Sequence, residues 1–200
     1  MHGRGAVRRR GADSLVTNGT DTELMTTQVL SHPGADEYAP YYNTYIAPVA
    51  GQNALETLVT QAGALDPLRA LGDAQTMHRY APDKWSVKEV VGHITDAERI
   101  FACRMLRIAR GDQTPLPGFD QQPYIEAAHF DGLPIATLVD SFHATRAATI
   151  ALAKEIDGDA WLRRGTASGF TVSARALAYI ITGHATHHIG ILRDRYGMPV

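Results

Sequence analysis

Gly183-His184-Ala185-Thr186-His187-His188 lies inside an apolar run from Leu177 to Leu192, and its reading decides the fold. Three of the nine histidines of the chain fall here. The run contains no proline, opens near Thr171–Ser173 and stops at Gly197 with Pro199 beyond, which is the punctuation of a helix. At about 100° per residue, Leu177, Ile180 and Ile191 fall within about 40° of His184, so this imidazole points into the apolar face. His188 lies about 40° round, near the centre of the stripe that Ile181 and Leu192 complete; His187 lies about 60° to the other side. Two imidazoles one turn apart on a core-facing stripe can hold one metal ion if other helices supply further ligands. A core histidine satisfied by a hydrogen bond is the competing reading, and His184 with His187 is the competing pair. Ala185 stands where the metalloprotease motif has glutamate, which disfavours a zincin-type protease.

Working back along the chain, three more apolar patterns have helical period. Residues 51–71 carry Leu55, Leu58, Val59, Ala62, Leu65 and Leu68 at three- and four-residue steps, ending at Gly72. Ser86 with Glu89 forms a capping box that opens a helix running to about Arg110, with Trp85 placed to staple onto Val90. Residues 135–156 repeat the pattern through Leu138, Val139, Phe142, Thr149 and Leu152, with Gly158 as terminator; Trp161 and Phe170 then anchor the link into the final helix. No strand of useful length and no internal repeat is visible. The fold class is therefore all-α, a four-helix bundle with at least one long crossover connection.

The remaining stretches differ in kind. Arg4, Arg8, Arg9 and Arg10 sit in an aperiodic, polar start, so residues 1–30 read as a disordered basic extension ahead of a bundle domain at 35–198. Residues 32–50 combine Pro33, Pro40 and Pro48 with Tyr38, Tyr41, Tyr42 and Tyr45; they are expected to cover the core, with lining a pocket mouth as the alternative. Residues 111–134 hold four prolines and two further glycines after Gly111, a long connection that serves either a functional loop or a crossover, with a short helical piece near Tyr124–Ala128.

Two hundred residues with 44% hydrophobic content suit one domain with a sizeable core. A net charge of −2 makes no case for nucleic acid or an anionic membrane. The single cysteine, Cys103, excludes an internal disulfide framework and reads as a small core residue. No stretch has the length of a membrane span, and no apolar segment follows the arginines as in a signal peptide, so a cytoplasmic location is expected.

The bundle offers a third ligand. His93 is mid-helix, as are His184 and His188, and mid-helix positions meet at similar heights. Three neutral imidazoles with open positions are a catalytic rather than a structural arrangement. Three blocks then carry a resemblance: Tyr80-Ala81-Pro82-Asp83-Lys84-Trp85-Ser86-Val87-Lys88-Glu89-Val90-Val91-Gly92-His93; Pro115-Leu116-Pro117-Gly118-Phe119-Asp120-Gln121; and Ser173 to His184 with His188 four residues on. Over about residues 35–197 the chain resembles the DinB-like, or YfiT-like, superfamily of four-helix bundles. The resemblance implies a divalent metal on His93, His184 and His188, an activity as a metal-dependent hydrolase or a transferase using a low-molecular-weight thiol, and frequent homodimers.

Three functions follow as expectations. The first is a hydrolase acting on a small-molecule substrate through a metal-activated water, with Asp96, one turn from His93, as candidate base. The second is a thiol-dependent S-transferase, with Arg104 as a candidate for binding the carboxylates of the thiol cofactor. The third is a non-enzymatic, stress-induced metal-binding protein. A three-histidine site with open positions suits Zn, Ni, Fe or Mn.

The basic start lacks the apolar content to offset its own ordering entropy. Deleting residues 1–24 is expected to leave the melting temperature and metal content unchanged; a drop of several degrees would show that the arm packs on the body.

Overall fold

Capping and proline placement divide residues 29–200, which the computed structural model describes, into seven α-helices and one β-hairpin. In chain order these are α1 (Asn43–Ile46), α2 (Ala54–Thr60), α3 (Asp73–Thr76), α4 (Val87–Ala109), α5 (Gln121–Ala128), α6 (Ile135–Lys154), β1 (Arg164–Ala167), β2 (Phe170–Ser173) and α7 (Ala174–Tyr196), with short 3₁₀ turns between them. The basic extension expected over residues 1–30 falls, as far as residue 28, outside the described residues; Leu30 is already buried.

The capping box at α4 forms as the spacing predicts. The Ser86 hydroxyl accepts from the Glu89 N–H at 3.0 Å, and the Glu89 carboxylate accepts from the Ser86 N–H at 2.8 Å. Ser173 caps α7 in the same way, accepting from the Ala176 N–H at 3.0 Å, and α7 ends at Gly197. Beside that cap, Ser173 and Arg175 both donate to the buried Glu37. Burial pushes the Glu37 carboxyl upward, but the hydrogen bonds from Arg175, Ser173 and the Gly34 N–H outweigh it and hold the pKa at about 2.

Cross-links give the bundle topology. α4 packs along both α6 and α7, and α2 packs on the same two, so the order round the bundle is α2, α6, α4, α7. Arg99 meets Ser141 and Arg110 meets Glu155, so α4 and α6 run parallel. Tyr196 meets the Trp85 carbonyl while Phe101 faces His184, so α4 and α7 run antiparallel. Parallel neighbours of about 30 Å need a return crossover. The connection 111–134 is that crossover.

A polar chain runs through the middle. Arg146 on α6 makes two 2.8 Å bonds to the Glu98 carboxylate on α4, with side-chain exposures of 0% and 2%. Arg146 also donates to the Leu58 carbonyl and to Gln61 Oε1. Gln61 then donates to the Thr182 carbonyl at 3.2 Å and Thr186 Oγ1 at 2.7 Å, one either side of His184. Four helical segments are joined in one network.

The structure departs from expectation in four places. The helix expected over 51–71 stops at Thr60, passes through turns and resumes as a 3₁₀ turn at Asp66–Ala70. Pro67 accounts for this, because a ring at that position clashes with the carbonyl four residues back and supplies no N–H. A β-hairpin stands where no strand was expected: β1 and β2 pair antiparallel, with Ser168 and Gly169 at φ 53° and 81° as the two-residue turn. Phe170 does not anchor the link into α7, being 53% exposed, whereas Trp161 is buried. Cys103 is exposed, not a core residue.

Arg146→Ala leaves Glu98 buried without its countercharge and is expected to lower stability by roughly 3–5 kcal/mol. Chemical denaturation checks this; a loss under about 1 kcal/mol would mean that water reaches Glu98.

Candidate metal centre

α4 and α7 cross so that His93, His184 and His188 converge, each with one ring nitrogen within 4.8 Å of the others. His93 Nε2 and His184 Nε2 face each other at 3.0 Å. The ring centroids lie 4.9 Å (93–184), 4.8 Å (93–188) and 4.5 Å (184–188) apart. His187, on the flank of α7, packs against Tyr45 and His188 and lies outside the cluster.

Desolvation sets the protonation of the three rings. Burial lowers His93 from 6.5 to about 4. Burial, followed by the charges of His93 and His187, lowers His188 to about 2. His184 is driven well below 6.5 by burial and then by its histidine neighbours. All three are neutral at pH 7 and able to donate a lone pair. The donor set fits a divalent ion: three neutral imidazoles aimed at one another, with no acid in the cluster.

A cavity of about 370 Å³ opens on His93 and His184. One wall is Tyr41, Tyr42 and Tyr45. Gly183 makes this possible: a Cβ there would stand 2.1 Å from the Tyr45 carbonyl, so only glycine lets α1 lie directly on α7 beside His184. The Tyr45 ring then sits 5.1 Å from His184, and its hydroxyl pairs with Tyr41 at 3.0 Å. Burial, then the Tyr41 hydroxyl, pushes the Tyr45 pKa far up and keeps its proton on. The opposite wall is Phe101 with Phe119, Asp120, Gln121 and Ser168. Leu116 pins the crossover to the hairpin, donating to the Thr166 carbonyl at 2.8 Å and accepting from the Ser168 N–H at 3.0 Å. A second cleft of about 280 Å³, with Lys84, Trp85 and Tyr196 in its wall, reaches His188 from another side.

Not every candidate lies where expected. Asp96 forms an ion pair with Arg99 at 2.9 Å and stands outside the histidine cluster and the cavity wall. Arg104 is buried, and donates to the Pro117 carbonyl and Ser168 Oγ just behind the wall. Trp85 is half-buried rather than a sealed anchor; its indole lies 4.7 Å from His93 and donates to Gln122. The tyrosine segment lines the cavity as well as covering the core, the alternative that the sequence reading ranked second. Sequence reasoning passed over Ser168, although the Ser168-Gly169 dipeptide between Thr166 and Thr171 is a hairpin signal.

Comparisons with known proteins bear on the family and the fold. The family model of the DinB superfamily matches residues 56–192. YfiT from Bacillus subtilis, described as a probable metal-dependent hydrolase with an unusual four-helix bundle topology, superimposes with a TM-score of 0.63 at 16% identity, over 83% of this chain and 93% of its own. The mycothiol-dependent maleylpyruvate isomerase superimposes with a TM-score of 0.59 at 17% identity, over 74% of this chain and 60% of its own. At these identities the two structures speak to the fold. No curated protein matches the sequence.

The depressed histidines make a pH prediction for metal-free protein. An unfolded histidine takes up its proton near pH 6.5, whereas His93 in the fold does so only near 4, so stability falls as the pH drops between those values. At pH 5, His93 alone is expected to lower stability by about 2 kcal/mol relative to pH 8. Thermal melts of chelated protein across pH 5–8 measure this, and a flat profile would show that the rings are solvated.

Proposed function

The chain belongs to the DinB superfamily, and from that footing we propose that it is a divalent-metal-dependent hydrolase of a small molecule, with His93, His184 and His188 as ligands. The observation that carries this reading is the convergence of three neutral, desolvated imidazoles, two of which, His93 and His184, line the cavity. A divalent ion held there would supply Lewis acidity and the means to activate a water for hydrolysis. The other residues prepare the site. Phe101 and Phe119 contribute the apolar part of a wall that also carries Asp120, Gln121 and Ser168. Tyr45, held protonated with its hydroxyl paired to Tyr41, sets its ring against His184 and excludes water from that side. Asp96 is not needed as base on this reading, since its carboxylate is engaged with Arg99.

A second reading is a transferase that uses a low-molecular-weight thiol. The second cleft favours it: two reactants can approach the histidines by separate openings, one past Tyr42 and one past Lys84 and Trp85. The likeness to a mycothiol-dependent isomerase is consistent with that arrangement.

Metal analysis of purified protein, with an activity panel of amides, esters and thiol conjugations, tests both. Substituting His93, His184 or His188 with alanine is expected to lower metal occupancy at least about tenfold, since even losses behind the ligand shell cost ~10–100-fold. His187→Ala should keep the metal. Metal-free His187→Ala protein beside metal-loaded His188→Ala protein would overturn the assignment.

A further inference from the structure

On α4, Ile100, Cys103, Arg104 and Arg107 follow one another at three- and four-residue steps and share one face of the helix. With Arg99 beside them, that face forms one side of a cleft of about 360 Å³. The other side is Leu116, Pro117 and Phe119 of the crossover with Tyr124 of α5. None of His93, His184 and His188 lines this cleft, although Phe119 borders both it and the histidine cavity.

The lining holds three arginines and no acid. Arg99 and Arg107 do pair with carboxylates, Asp96 at 2.9 Å and Asp112 at 2.6 Å, but both acids lie off the lining. The two arginine side chains are 51% and 37% exposed, and ion pairs open to water hold their partners weakly. Asp112 takes Nε and Nη2 of Arg107, which leaves Nη1 for another acceptor. Arg104 lies deeper. Its bonds to the Pro117 carbonyl and Ser168 Oγ brace the crossover against the hairpin, and the Tyr42 phenol stands beside it. Those partners are neutral, so the Arg104 charge adds to that of the other two across the cleft.

The cations all come from α4, and the apolar groups that face them come from the crossover and α5, where the rings of Phe119 and Tyr124 lie 5.5 Å apart. Apolar walls with a few charged groups that fix orientation are the makeup of a small-molecule site. We propose that this cleft is a ligand site separate from the histidines, and that it takes a small amphipathic carboxylate. The acid turns to the arginines of α4, and an aromatic or branched body packs on Leu116, Phe119 and Tyr124. Cys103 supplies the reporter, since it is the one cysteine of the chain and is exposed on the cleft wall. An occupant should shield it from iodoacetamide, an uncharged alkylating reagent. The concentration that halves the alkylation rate is measured on the full chain for 4-phenylbutyrate, for its amide and for acetate.

The expected result is that 4-phenylbutyrate protects wild type at a concentration at least about tenfold lower than either the amide or acetate, as charge-assisted bonds and a buried body together imply. Arg107→Gln should cut the preference for acid over amide below about threefold, while Arg110→Gln, a neighbour off the lining, should keep it. His184→Ala should keep the protection. Cys103 also borders a groove between α4 and α6 that Leu152 lines, so Tyr124→Ala should weaken protection and Leu152→Ala should not. Equal protection by acid and amide, or none by either, overturns the proposal on wild type alone and needs no variant to fold. Three further results overturn it. Protection lost in His184→Ala puts the probe at the histidines. An Arg110→Gln effect as large as that of Arg107→Gln reduces the preference to diffuse charge. Sensitivity to Leu152 in place of Tyr124 puts the probe in the other groove.

Discussion

The buried pair of Glu98 and Arg146 is the constraint on which the histidine cluster depends. Apolar stripes on helices repeat every turn, so packing alone discriminates poorly against a slip of one turn. Here such a slip would be fatal to the site, because His184 and His188 are themselves one turn apart. The polar chain from Glu98 through Arg146 and Gln61 to Thr182 and Thr186 has no such periodicity. Moving α7 by a turn would strand donors and acceptors in a dry interior. Replacing a buried ion pair with apolar residues is often neutral in energy, so fixing register is the better account of what the pair does than added stability.

The same desolvation that makes the Glu98 pair obligatory prepares the imidazoles. A solvated histidine is half protonated near pH 6.5 and competes poorly for a cation. Burial under Tyr45, Phe101 and Trp85 removes that competition by disfavouring the imidazolium. The cost is paid at folding, when metal-free protein must hold three neutral rings against one another. A divalent ion placed among them would replace weak ring contacts with coordination bonds, so metal binding and folding stability are coupled.

Periodicity and caps were legible from the sequence because they are local. Ser86, Ser173 and Gly197 mark the long helices within a residue or two, and the angular position of His188 against His187 follows from helix geometry alone. Pro67 is local too, but the three- and four-residue spacing of the leucines continues across it, so periodicity alone does not show the break at Thr60. Glu98 and Arg146 were hidden for a different reason. Each occupies a stripe of otherwise apolar positions, where a single charge is read as an edge residue; only the pair, on two helices far apart in sequence, has meaning. The cavity wall was the least visible. Ser168, Phe119 and Tyr42 come from three connections, and nothing in one connection announces which others will stand beside it.

That division follows from the topology. With α4 and α6 parallel, and α6 followed by its neighbour's antiparallel partner α7, the connections cannot be short hairpins. They must traverse the bundle, and in doing so they pass its open side, where the histidines face. The ligand cluster is built on the helices, whose register is rigidly fixed. The cavity walls are built from the α1 segment, the crossover at Leu116–Gln121 and the hairpin turn at Ser168. On the proposed function, chemistry and selectivity would therefore be carried by separate parts of the chain. Arg104 is the junction: it projects from a bundle helix, yet its hydrogen-bond partners, Pro117 and Ser168, belong to the two connections that meet beside the cavity.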